Sequence, residues 1–225
     1  AYYTANGTEM FEDNKYEDIR GLACLYPETI QIITLEGKGI ETISDLKGKK
    51  VAVGAAGSGT EANARQILEA AGITYDDISV QYLSFAEAAN NLKDGNVDVA
   101  FVTAGFPTAA VQDIAAQHKV VLVSVDESMA DSLIDKYPFY TKTVIPANTY
   151  NGQNEDVEAV SVMSMLAVSS ELDEEIAYEM LKTMYDNHSR VKAAHTAGEM
   201  ITPESGEQGM SIDLHPGAAK YFNEK

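Results

Sequence analysis

Residues 50–63 read KVAVGAAGSGTEAN, and the fold class follows from this stretch. The apolar run Lys50–Gly54 ends in three glycines, Gly54, Gly57 and Gly59. It then opens into a helical segment, Thr60–Ala71, in which Ala64, Ile67, Leu68 and Ala71 fall on one face at i, i+3, i+4 and i+7. Gly72 supplies the C-cap. A strand that turns through glycine into a helix places the unpaired N–H groups of the first helical turn at its mouth, a ready site for an anion. Ser58 and Thr60 add hydroxyl donors. The GxxxxG frame beginning at Gly54 is not a P-loop, because Thr60 and Glu61 stand where lysine and a hydroxyl residue belong. A ligand-free turn with Ser58 or Thr60 as helix N-cap also fits these residues.

The same alternation continues along the chain. Short β-branched runs at Gly21–Tyr26, Thr29–Leu35, Lys50–Gly54, Ser79–Leu83, Val97–Thr103, Lys119–Val125 and Ala159–Ser169 alternate with helical patterns. The helical patterns are Thr60–Ala71, Ser84–Asp94, Phe106–Gln117, Ser128–Lys136 and Asp173–Ala197. This predicts an α/β protein with mainly parallel sheet and crossover helices. Two polar stretches divide it: Ser44–Lys50, with three lysines, and Ile145–Asp156, IPANTYNGQNED.

With 225 residues and 45% hydrophobic content the chain can build a sizeable core. No apolar run approaches the ~18–20 residues of a membrane span, and no signal-peptide pattern opens the sequence. Sixteen Lys and Arg against 35 Asp and Glu give a formal charge of −19, which argues against nucleic acid as a partner. An anionic ligand therefore needs a local positive potential, which backbone N–H groups can supply.

In a parallel sheet the end of Val97–Thr103 faces the same side as the Gly54–Thr60 turn. Thr103, Ala104, Gly105 and Phe106 would then line the same cleft; the lesser alternative is that Gly105-Phe106-Pro107 merely starts the next helix with Pro107 at N1. Of the 12 tyrosines, Tyr2, Tyr3, Tyr26 and Tyr82 lie near expected strand ends, and Tyr26-Pro27-Glu28 reads as a tight turn between two strands. Cys24 is the only cysteine and sits in an apolar run, so it reads as core. The four histidines show no metal-ligand spacing, and no nucleophile-base motif is present. No catalytic residue, metal or cofactor is assigned.

Four motifs occur in order: DLKGKKVAVGAAGSGTEANARQIL (45–68), DGNVDVAFVTAGFP (94–107), IPANTYNGQNEDV (145–157) and LHPGAAKYFNEK (214–225). Together with AYYTANG (1–7) and LYPETIQIITLEGKGIETISDLKGK (25–49), they resemble the TAXI family, the extracytoplasmic solute receptors of TRAP-type transporters. The resemblance implies a periplasmic-binding-protein-like fold of type II, with two lobes of mixed, mainly parallel sheet closing on a small anionic or zwitterionic ligand, an organic acid or an amino acid. The ligand is delivered to a membrane permease driven by an ion gradient. It implies a second lobe over 49–145 and a first lobe from 1–48 and 146–225, with hinge strands near Ile30–Thr34 and Val160–Val168. Gly57, Ser58, Gly59 and Thr60 match its ligand-facing helix start, and Thr103, Ala104, Gly105 and Phe106 its facing loop. Tyr26, Tyr2 and Tyr3 are expected to grip the ligand from the other side.

Family members begin with a signal peptide and a further strand-helix stretch. The first lobe is accordingly expected to be incomplete in these residues, to bind ligand weakly alone, and to expose edges that invite dimerisation. Two other classes compete: a ligand-sensing effector domain of the same fold, and an enzyme using Gly54–Thr60 for a phosphorylated substrate. A fused output domain would mark the first. For the second, the sequence offers no base.

Overall fold

The structure is a computed structural model describing residues 1–225, apart from the side chains of Met10 and Thr196. Its strands are β1 (Ile19–Leu35), β2 (Lys50–Gly54), β3 (Ser79–Tyr82), β4 (Val99–Ala104), β5 (Val120–Leu122), β6 (Tyr140–Ile145) and β7 (Val157–Ser169). Its helices are α1 (Tyr2–Asn6), α2 (Gly59–Ala70), α3 (Phe85–Lys93), α4 (Ala109–Ala115), α5 (Glu127–Lys136), α6 (Glu174–Asp186), α7 (His188–Ala194) and α8 (Pro216–Asn223). The chain forms two compact units, a central one of 28–162 and a terminal one of 1–27 with 163–225. Both boundaries of these compact units fall inside the long strands β1 and β7. The segments 28–48 and 146–162 therefore pack with the central unit, because Thr29–Ile33 ladder onto β4 and Val157–Val162 onto β6.

The sheet order is β3-β2-β4-β1-β7-β6, with β5 also on β1. β2 runs parallel to β3 and β4, while β1 is antiparallel to β4 and β5, and β6 to β7. The parallel arrangement read from the sequence thus holds for β3-β2-β4, within a mixed sheet. Helices cover both faces of the central unit. Ala64, Ile67 and Leu68 of α2 and Leu133 of α5 pack with Ile30, Ile32, Val51 and Phe101 on one face. Ala88 and Leu92 of α3 and Val111 and Ile114 of α4 pack with Ile33, Ala52 and Val102 on the other. Successive strand residues alternate between these two layers, which is why the strands read as almost continuous apolar runs.

The terminal unit is built around α6 and α8, with Leu22, Ala23, Ala177, Leu181, Ala218 and Tyr221 in its core. Cys24 is buried, as the sequence indicated, and burial pushes its thiol up to about 11. The helices meet at Gly217, where an added Cβ would lie 2.2 Å from the Glu174 carbonyl oxygen. His215 caps α8: its Nδ1 accepts from the Gly217 N–H at 3.2 Å, and its Nε2 lies 2.9 Å from the Leu172 carbonyl.

Several boundaries differ from the sequence reading. Tyr26-Pro27-Glu28 is not a turn: β1 runs unbroken through it, and Pro27 stands outside the β4 ladder, which begins at Thr29, so its missing N–H costs that ladder nothing. Tyr2 and Tyr3 lie in helix α1, not at a strand end. The helix over Phe106–Gln117 contracts to α4 behind an N-cap at Thr108, so Pro107 is outside it. The helix over Asp173–Ala197 breaks at Asn187, which ends α6, donates Nδ2 to the Thr183 carbonyl at 2.8 Å and begins α7. Strand β6 has no counterpart in the sequence reading. Its Thr141 and Thr143 supply no apolar stripe, and Thr143 Oγ1 lies 2.7 Å from Ser161 Oγ instead. The stretch Ile145–Asp156 connects β6 to β7. Gln153 Nε2 holds it closed by donating to the carbonyls of Pro146 at 3.0 Å and Glu155 at 2.9 Å.

Candidate functional site

The Gly54–Thr60 turn forms at the carboxyl end of β2. Gly54 has φ +100°, and a Cβ there would lie 2.9 Å from Thr60 Cβ and 3.1 Å from the Glu61 nitrogen, so only glycine lets the chain double back onto α2. Gly57, at φ +71°, continues the turn. Ser58 is the N-cap: its Oγ accepts from the Glu61 N–H at 3.2 Å, and its carbonyl accepts from the Ala62 N–H at 3.2 Å. Among the described residues no acceptor takes the N–H of Gly59 or Thr60. These two donors, with the positive end of a 12-residue helix, form an anion-attracting mouth. The first-turn carboxylate that could fill it, Glu61, accepts from Tyr75 Oη at 2.7 Å and faces Arg65 at 3.8 Å.

Parallel pairing of Val51 with Val99 and Ala52 with Ala100 brings the Thr103–Phe106 loop to the same edge. The sequence expectation that these turns share an edge therefore holds. A hydrogen-bonded chain links them: Thr103 Oγ1 donates to Asn63 Oδ1 at 3.2 Å, Asn63 Nδ2 donates to Tyr140 Oη at 2.8 Å, and Tyr140 donates on to Gln66. The loop is fastened from behind. Gln31 Nε2 donates to the Ala104 carbonyl at 3.2 Å and to Thr108 Oγ1 at 2.8 Å, while the Thr108 N–H donates to Tyr150 Oη at 2.8 Å. Tyr150 Oη in turn donates to Gln31 Oε1. A Cβ at Gly57, Gly59 or Gly105 would meet nothing within 4 Å, so the rim of this edge is open.

Of the residues singled out in the sequence, Gly57, Ser58, Gly59, Thr60, Thr103, Ala104, Gly105 and Phe106 belong to the central unit, and Tyr2, Tyr3 and Tyr26 to the terminal unit. Tyr2 lines a polar pocket of about 400 Å³ in that unit with Asn6, Lys15, Arg20 and Ser211. A second groove there, about 820 Å³, is lined by Leu22, Leu166, Ile176, Met180 and Met184 and contains none of the expected ligand residues. Asn63, Gln31 and Tyr150 were missed. Asn63 could have been found, since it stands among the alanines and leucine of the buried α2 face, where an amide needs a partner. Gln31 and Tyr150 are 119 positions apart, and no local signal joins them.

Among the described residues no cluster of three or more His, Cys, Asp or Glu could hold a metal ion, and no helix is long and apolar enough to cross a membrane.

A family model described as NMT1-like matches residues 1–225. The chain belongs to the NMT1-like family. Solved structures similar to this NMT1-like chain include a putative sulfonate ABC transporter, periplasmic sulfonate-binding protein SsuA, from Methylobacillus flagellatus KT. It is 13% identical with a TM-score of 0.51, over 92% of this chain and 59% of that one. The periplasmic aliphatic sulphonate binding protein SsuA of Escherichia coli is 18% identical at a TM-score of 0.49, over 100% and 62%. A putative L-cystine ABC transporter from Listeria monocytogenes is 18% identical at 0.47, over 84% and 66%. The first of these likenesses places the fold among periplasmic binding proteins. The chain spans between 59% and 66% of the length of these three proteins.

Proposed function

We propose that this NMT1-like protein is an extracytoplasmic solute-binding receptor, whose central unit holds the anionic group of a small organic ligand at the N-terminus of α2. The observation that carries the reading is the pair of acceptor-free N–H groups at Gly59 and Thr60, set at one edge with Thr103–Phe106. Thr60 and Ser58 supply hydroxyls, and Gly57, Gly59 and Gly105 leave room for close approach. Tyr26, Tyr2 and Tyr3 are proposed as further contacts on the strength of the TAXI resemblance. The same motif order supports delivery to a TRAP-type permease, and on this reading the lobes correspond to 49–145 and to 1–48 with 146–225.

Thermal-shift screening of the full-length protein against carboxylates, amino acids and alkanesulfonates tests the reading. A compound at 100 times its Kd stabilises the protein by about 2.7 kcal/mol. Gly59→Pro, which removes one of the two N–H donors at a first-turn position where proline fits, is expected to remove most of that shift while leaving the ligand-free melting temperature within a few degrees. A shift that survives in the variant contradicts the assignment. Uptake of the ligand by cells carrying the permease should collapse with an ionophore and persist when ATP is depleted but the gradient is held. The reverse pattern would exclude a TRAP-type partner.

A further inference from the structure

The alternation of β1 separates two sets of side chains. Thr29 and Gln31 turn to polar partners on one face, Thr29 Oγ1 lying 2.8 Å from Ser161 Oγ. Ile30 and Ile32 pack on the other with Ala64, Ile67 and Leu68 of α2. Glu28 has the parity of Ile30, so its side chain belongs to the α2 face. The register pairs Ile30 with Thr103, whose hydroxyl bonds Asn63. Glu28 is two positions beyond Ile30, past the last rung Thr29–Ala104, toward the edge where Gly59 and Thr60 present their free N–H groups. It is half-buried, and among the described residues nothing gives its carboxylate a hydrogen bond or an ion pair. Burial without a partner raises its proton affinity above the usual carboxylate range. The other conspicuous carboxylates of this unit are tied: Asp98 to Lys38 and the Lys50 N–H, Glu61 to Tyr75, Glu87 to Ser84. A part-buried carboxylate with no protein partner, on the strand end beside this edge, is open to a cation that arrives with the ligand.

We propose that Glu28 is a specificity residue that accepts the ammonium group of the ligand, so that the receptor takes zwitterions, amino acids or aminosulfonates, in preference to plain organic acids. The proposal rests on the receptor reading above. Charge at both ends of the ligand is then matched, with helix dipole and N–H groups for the anion and Glu28 for the cation.

Isothermal titration of the full-length protein with matched pairs tests it: L-glutamate against glutarate, L-leucine against 4-methylpentanoate, taurine against ethanesulfonate. The ammonium-bearing member of the preferred pair is expected to bind roughly 30-fold tighter or more, and Glu28→Gln to erase that preference while changing the affinity of the deaminated member less than about threefold. The amide keeps the volume of the side chain, so the variant should melt at or above the wild-type temperature. Binding of the deaminated member as tightly as its amine, or a preference that survives Glu28→Gln, overturns the proposal and leaves the receptor reading standing. Failure of all six compounds to bind the wild type removes the receptor reading, and the role of Glu28 with it.

Discussion

Gly217→Ala is expected to unfold roughly 6–12 °C below the wild type, the equivalent of about 3 kcal/mol in a chain of this size. The added methyl group would stand 2.2 Å from the Glu174 carbonyl oxygen, 2.9 Å from Ala177 Cβ and 2.9 Å from the Tyr178 nitrogen. Two of these atoms are backbone of α6 or its first turn, so no side-chain rotation relieves the contact, and the two helices must separate. Separation opens the core that holds Leu22, Leu181 and Tyr221. Gly59→Ala is the control for stability: nothing lies within 4 Å of its Cβ, and its φ is not in the left-handed region, so its melting temperature should move by less than about 2 °C. Differential scanning calorimetry on the two variants decides the matter; equal stability would mean that α6 and α8 do not meet at Gly217.

Gly54→Ala has the second large effect and reaches the ligand edge as well. Adopting φ +100° costs an L-residue about 1–2 kcal/mol, and the new Cβ would press on Thr60 Cβ at 2.9 Å and Thr60 Cγ2 at 3.0 Å. Relief requires moving the start of α2, which carries the Gly59 and Thr60 N–H groups. A loss of about 2–4 kcal/mol in urea unfolding is expected, with an unchanged m-value, together with loss of ligand-induced stabilisation. Gly37→Ala separates the two contributions. Gly37 has φ +86° but nothing within 4 Å of its Cβ, so it should lose only the conformational share. Equal losses in the two variants would show that the Gly54–Thr60 contact contributes nothing.

The strand-turn-helix at 50–70 was legible because its signals are local and agree: an apolar run, glycines at the turn, a serine cap and a helical apolar face all lie within one window. The shared edge of Gly54–Thr60 and Thr103–Phe106 was legible for a related reason, since parallel pairing follows from a strand-helix-strand pattern. What escaped depends on distant partners. Strand β6 hides because only its ends, Tyr140 and Ile145, are buried, and between them Thr141 and Thr143 bond Ser161, a residue of β7. Tyr26-Pro27-Glu28 reads as a turn, yet Pro27 lies outside the rungs to β4, and the strand continues. The boundaries of the two compact units fall within β1 and β7, where composition shows no break. Asn63 and Glu28 are polar residues among apolar neighbours, a signal present in the sequence whose meaning depends on the register of β1 against β4.

The central claim is that an anionic ligand group is held by the backbone at the start of α2. Amide nitrogen-proton spectra of the isotope-labelled full-length protein, recorded while titrating the panel compound that gives the greatest thermal stabilisation, test it most directly. The largest shifts are expected at the N–H groups of Gly59 and Thr60, followed by those of Gly57 and Gly105, and they should saturate with the Kd measured by calorimetry. If those resonances stay in place while shifts gather along α6, around Ile176 and Met180, the ligand binds elsewhere and the account fails.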